Sequence, residues 1–123
     1  MRLTAPWVLL SLLTGCAKEG PVGADSAASA TAAFCANAPT LTWESYGQGF
    51  MATYCLACHS ANARDRFGAP EDMNFDTAGE TWSFQEQILS AVVETSTEPP
   101  GGGVYAEDKQ ALEAWLRCAE PGT

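Results

Sequence analysis

The chain has a single histidine, and it directly follows two cysteines spaced by two residues: Cys55-Leu56-Ala57-Cys58-His59. No other stretch constrains the fold as tightly. Thiols at this spacing stand one helical turn apart, and the only imidazole is delivered to the same spot. Any site that needs two imidazoles from one chain is excluded. A thioredoxin-like dithiol belongs to a βαβ pattern, and no segment here alternates convincingly as a strand. A tetrahedral zinc site needs four ligands, and no second Cys/His pair exists to complete one. A structural disulfide beside a histidine stays open on these residues alone.

The rest of the chain falls into three parts. Residues 1–15 read as a signal peptide. Met1-Arg2 is a small basic start, and Ala5 to Leu13 (APWVLLSLL) is an apolar run too short to span a bilayer. Leu13-Thr14-Gly15-Cys16 resembles the bacterial lipobox, in which a small residue precedes a cysteine that becomes lipidated. The resemblance implies cleavage before Cys16 and acylation of that residue, which makes a stable membrane anchor. Residues 16–33 read as the lipidated Cys16 followed by a flexible linker. In Ala17 to Ala33, 13 of 17 residues are Ala, Gly, Ser, Thr or Pro. Only Val22 is a large apolar side chain, so no core can form there. An Ala-rich helix is the alternative, opposed by Gly20, Pro21 and Gly23.

Residues 34–123 form the folded domain, and its patterns are helical. Trp43, Tyr46, Phe50 and Tyr54 line one face of a helix from about Trp43 to Tyr54, with Thr42 as N-cap. A second helix, from about Ala78 to Glu94, opens on the capping box Thr77-Ala78-Gly79-Glu80 and continues through Phe84, Ile88 and Ala91-Val92. Leu112, Trp115 and Leu116 make the stripe of a third, from about Glu107 to Cys118. Ser60 to Asp76 and Thr95 to Val104 are irregular, the latter with Pro99-Pro100 and three glycines. The reading is therefore all-α, with long loops and a core thin enough that something else must fill its centre. The 15 acidic and 6 basic residues give a net charge of −9. That disfavours nucleic acid, whose binders cluster Lys and Arg against phosphates, and it disfavours an anionic membrane surface.

Cys-x-x-Cys-His is the attachment signature of c-type haem. Cys55 and Cys58 can reach the two vinyl groups and form thioethers, and His59 then supplies an imidazole nitrogen to the iron. Beyond the pentapeptide, residues 42–118 are similar to class I c-type cytochromes. Gly47 lies eight residues before Cys55, where that family often has a glycine that lets its first and last helices cross closely, and Trp115 suits the aromatic expected across from it. Met51 stands where an aromatic is usual, with Phe50 adjacent. Gly68-Ala69-Pro70, then Asn74-Phe75-Asp76-Thr77, a Pro-Pro turn and a closing Trp-Leu-x-Cys complete the likeness. It implies a small cytochrome c-like fold of about three helices with long loops around one covalently bound haem c. It also implies that the Pro70 carbonyl accepts the Nδ1 proton of His59, a contact that raises the donor strength of a ligating imidazole.

The departure is at the sixth iron ligand. The family commonly has a Met just before the Pro-Pro turn, and here Glu98 holds that place. Met73 is the only thioether in that half of the chain. It is a candidate ligand or a core side chain, and Lys109 and Tyr105 are weaker candidates. A carboxylate would favour ferric iron and a thioether the ferrous state. With Cys16, Cys55 and Cys58 assigned, Cys35 and Cys118 remain. Helices crossing as the resemblance implies would bring them close enough for a disulfide, which an exported protein permits; two free thiols are the alternative.

The function this implies is a membrane-tethered periplasmic monohaem cytochrome c, an electron carrier rather than an enzyme. It would pass single electrons between redox proteins that offer a basic patch to its acidic surface. The alternative is a haem protein with an open or weakly held sixth site, acting as a gas or redox sensor or a weak peroxidase. A lipoprotein interaction module without haem is a third reading.

Overall fold

The computed structural model describes residues 24–122. The signal segment, Cys16 and the first part of the linker lie outside the described residues. The fold is all-α, with no strand among the described residues.

Five helices follow one another. α1 is Ala24–Cys35. α2 is a π-helical turn, Trp43–Gly47, passing directly into the α-helical Gln48–Tyr54. α3 is Ala78–Ser83. α4 is Gln85–Ile88, continued in π-helical geometry by Leu89–Glu94. α5 is Ala106–Cys118.

Two expectations are corrected here. The linker was expected to be coil through residue 33, yet α1 occupies its second half. Gly20, Pro21 and Gly23 all precede that helix. From Ala24 onward alanine dominates and no breaker interrupts, so intrinsic propensity carries the turns. Three helices were expected, and the second is divided. At Phe84 the backbone leaves helical geometry (φ −116°, ψ 19°), and its ring meets Phe75 edge-on at a centroid distance of 6.0 Å.

Thr42 and Thr77 are N-caps as the sequence indicates, but the reciprocal capping box forms at Thr42–Ser45 and not at Thr77–Glu80. The Thr42 hydroxyl accepts the Ser45 N–H at 3.2 Å, and the Ser45 hydroxyl accepts the Thr42 N–H at 2.9 Å. The Thr77 hydroxyl accepts the Glu80 N–H at 3.2 Å and donates to the Glu80 carboxylate at 2.8 Å. Each satisfies donors that a helix start would otherwise leave unpaired.

α5 is the central element. Leu112, Trp115 and Leu116 are buried, as their stripe requires, and they pack with Phe50, Met51, Ile88, Leu89 and Val92. Met51, outside the aromatic stripe of α2, is fully buried as well. Each such side chain contributes roughly 1.5–3 kcal/mol of transfer free energy. α5 runs against both the π-helical end of α4 and the first turn of α2. At the second crossing Gly47 lies on the Trp115 indole so closely that a Cβ would fall 2.5 Å from Cζ2. Trp43, Tyr46 and Trp82 surround the same indole at 6.1, 6.1 and 5.2 Å. Cys35 at the end of α1 and Cys118 at the end of α5 are joined by a disulfide, with Cα atoms 5.4 Å apart.

Candidate functional site

The Cys-x-x-Cys-His segment closes α2. The Cys55 N–H donates to Met51 O at 2.9 Å, and the Cys58 and His59 N–H groups both donate to Cys55 O, at 3.1 and 2.9 Å. The segment is thus one further tight turn, with both thiols and the imidazole on a short arc. The thiols are free and not bonded to each other. Cys55 is buried and Cys58 half-buried. Burial, reinforced by Glu98 and Cys58, pushes the Cys55 thiol up to about 12.

His59 is held at two points by one short segment. Its carbonyl accepts the Phe75 N–H at 2.8 Å. Its Nδ1 lies 3.0 Å from Met73 O. A carbonyl can only accept, so Nδ1 carries a proton, and in the neutral ring Nε2 is the nitrogen with the free lone pair. The ring stacks on Phe75 at 4.6 Å and 20°. This corrects the expectation for Pro70. Its carbonyl accepts from Arg66 Nη2, and the acceptor for His59 is Met73 O. The loop reverses at Phe67 and Gly68, both left-handed (φ 51° and 92°), and the Asp65 carboxylate accepts the Phe67 N–H at 2.8 Å. That reversal leaves Pro70 exposed and turns Met73 O toward the imidazole.

Asp76 ties the same region from the other side. It accepts the Ser60 hydroxyl at 2.6 Å and the Ala61 N–H at 2.8 Å. Those two hydrogen bonds, first the hydroxyl and then the amide, hold its carboxyl below its ordinary range.

His59 faces an apolar pocket with a cavity volume of about 160 Å³. Phe50, Tyr54 and Cys55 form one wall, and Ile88, Ala91 and Val92 the other. Met73 and Phe75 lie beside His59, and Gln87, Glu98, Pro99 and Val104 complete the lining. Gln87 and Glu98 are solvent-exposed and so belong to its rim. Cys55, His59, Met73 and Glu98 are therefore brought together, while Cys58 stands next to the pocket without lining it. Lys109 and Tyr105 are elsewhere: Lys109 Nζ donates to Ser96 Oγ at 2.6 Å, and Tyr105 is 66% exposed. Among the described residues no three His, Cys, Asp or Glu side chains converge as a metal site.

Three residues of this site were not singled out for it in the sequence. Phe75 figures there only as part of the Asn74-Phe75-Asp76-Thr77 run, with no role at the site. Tyr54, counted as a stripe residue, lines the pocket and donates to Asp108 Oδ2 at 2.6 Å. That carboxylate first, then burial, raises the phenol to about 12. Arg66 carries no motif signal at all. The chain matches no protein-family model, no curated protein and no solved structure.

Proposed function

We propose that residues 34–123 are a small class I cytochrome c-like domain that carries one haem c and passes single electrons. The observation that carries this reading is the floor of the pocket. Two free thiols and an imidazole sit in one turn, Cys55 and His59 of that turn line an apolar pocket, and the imidazole's Nδ1 is hydrogen-bonded to Met73 O. Cys55 and Cys58 would hold the porphyrin through thioethers, and His59 Nε2 would bind the iron. A haem held there supplies reversible one-electron chemistry between ferric and ferrous iron. The chain supplies the rest. Met73 O fixes the imidazole's orientation and tautomer. Phe50, Ile88 and Val92 keep water from the pocket. The close crossing of Gly47 on Trp115 adds support, since the family likeness leads one to expect it.

On this reading Cys16 anchors the protein to a membrane and the domain works in the periplasm. It serves redox partners as an electron carrier rather than an enzyme. The acidic surface steers it toward a basic patch, so electron-transfer rates should fall as salt rises; rates indifferent to salt would count against that partner.

A second reading, a haem protein with an open or weakly held sixth site, is favoured by a specific observation. The Met73 backbone is bound to His59, so its thioether starts from the histidine's side of the pocket. The family's Met position is held by Glu98, an exposed carboxylate at the rim. The separating experiment is the visible spectrum of the reduced, matured protein before and after CO. Unchanged low-spin bands mean a filled sixth site and an electron carrier. A CO-shifted Soret band means an accessible iron and the sensor or peroxide chemistry. No covalent haem at all refutes both.

A further inference from the structure

Met73 O has a second donor. Arg66 Nη2 reaches it at 2.9 Å, while His59 Nδ1 approaches at 3.0 Å. The other contacts of this guanidinium all serve the same loop: Nη1 to Ser60 O at 2.7 Å and Asn74 Oδ1 at 2.8 Å, Nε to Ala69 O at 3.3 Å, and Nη2 also to Pro70 O. An arginine has five N–H donors, and here five acceptors receive them, none a carboxylate. The side chain is half-buried. Its charge is therefore held in place one carbonyl away from the histidine, with no carboxylate hydrogen-bonded to it, although the Asp76 carboxylate is near enough to feel it.

We propose that Arg66 is a positioning residue that acts through Met73 O to weaken the hydrogen bond from His59 Nδ1 and so raise the reduction potential of the iron. The inference rests on the haem reading above. Two donors on one carbonyl compete for its lone pairs. The guanidinium draws density from the oxygen, leaving it a poorer acceptor for Nδ1–H. A weaker Nδ1–H hydrogen bond makes Nε2 a weaker donor to iron, which favours the ferrous state. The fixed positive charge acts in the same direction, since it opposes the extra charge of ferric iron. Both effects have one sign, so losing Arg66 lowers the potential.

The test compares wild type, Arg66→Gln, Arg66→Lys and Asn74→Ala, each matured with haem. Two quantities are read. One is the midpoint potential. The other is the His59 Nδ1–H proton resonance of the reduced protein, held low-spin with CO where the sixth position is open. Arg66→Gln should lower the potential and move the resonance downfield, the mark of a stronger hydrogen bond. Arg66→Lys keeps the charge and should fall between Gln and wild type. Asn74→Ala removes one neutral acceptor of Arg66 while keeping its charge and its bond to Met73 O, so both readings should move less than in Arg66→Gln. Arg66→Gln indistinguishable from wild type overturns the proposal, as does an equal shift in Asn74→Ala. If Arg66→Gln does not take up haem, Arg66→Lys decides, and an unmoved Nδ1–H resonance there overturns it. Wild type without covalent haem overturns the haem reading and this inference together; wild type with haem and unmoved Arg66 variants overturns this inference alone.

Discussion

Gly47 and Gly49 are both in α2, two residues apart, and replacing each with alanine should move stability in opposite directions. At Gly49 nothing lies within 4 Å of the added Cβ, and the site is exposed. Only helix propensity acts there, so Gly49→Ala should gain about 0.5–1 kcal/mol. At Gly47 the same propensity gain applies, since the backbone is helical (φ −56°, ψ −47°). It is outweighed by contact. The new methyl would stand 2.5, 2.6 and 3.0 Å from Trp115 Cζ2, Cη2 and Cε2, when ordinary carbon contacts lie near 3.5–4.0 Å. The indole has to retreat by about 1 Å, yet it is fully buried and walled in by Trp43, Tyr46 and Trp82. Overpacking of this kind costs typically 1–3 kcal/mol and occasionally more. With the propensity gain subtracted, Gly47→Ala should lose about 1–2 kcal/mol. For a domain of this size that is a melting temperature lower by roughly 5–15 °C, and Gly49→Ala should melt a few degrees higher. Thermal melts followed by far-ultraviolet circular dichroism, on otherwise identical mature proteins, give both numbers. A Gly47→Ala protein that melts with or above wild type would refute the close crossing of α2 on α5.

Two more outcomes follow from the structure. Cys118→Ser opens a covalent loop of sequence separation 83, whose closure is worth about 4 kcal/mol in loop entropy. Thermal stability should drop sharply while the visible spectrum of the matured protein stays unchanged, and a melt that does not move argues against the cross-link's role. Asp76→Asn tests the Ser60–Ala61 clamp. The Asp76 carboxyl titrates lower folded than unfolded, so its contribution is fully present above the unfolded carboxylate value, about 3.9. It fades as pH falls through the lower folded value. Urea titrations across acid to neutral pH should show the variant weaker near neutrality and converging with wild type in acid; a constant gap would refute the linkage.

Much of the helical frame was legible in the chain. The stripes of α2 and α5 and the caps at Thr42 and Thr77 are side-chain signals, and side chains are what a sequence writes down. Two features were not legible because they depend on backbone placed by distant contacts. The break at Phe84 interrupts a run that has no Gly or Pro beyond Gly79, and the ring it presents to Phe75 is a tertiary partner. The acceptor for His59 is a main-chain carbonyl, which every residue owns. Choosing Met73 over Pro70 required the left-handed reversal at Phe67-Gly68 and the fan of Arg66 bonds across it. α1 was missed for a different reason: the breakers that argued against it all lie upstream of its first residue. In the pocket, Cys55 and His59 were legible from their spacing, whereas Tyr54 and Phe75 enter by geometry alone.

The Cys35–Cys118 link also decides how the molecule responds to cutting and to pulling. Between those residues the chain is a closed ring, and everything outside it hangs from one knot. A protease that nicks the exposed triple-glycine stretch at Gly101–Gly103 leaves a single covalent molecule, with both flanks of the cut still strung to α5. A tug on the N-terminal segment reaches Cys35 and crosses the sulfurs into the end of α5. The covalent load path from one terminus to the other therefore skips α2 and the Cys55–His59 turn, so strain applied at the N-terminal end is not handed along the chain to that turn.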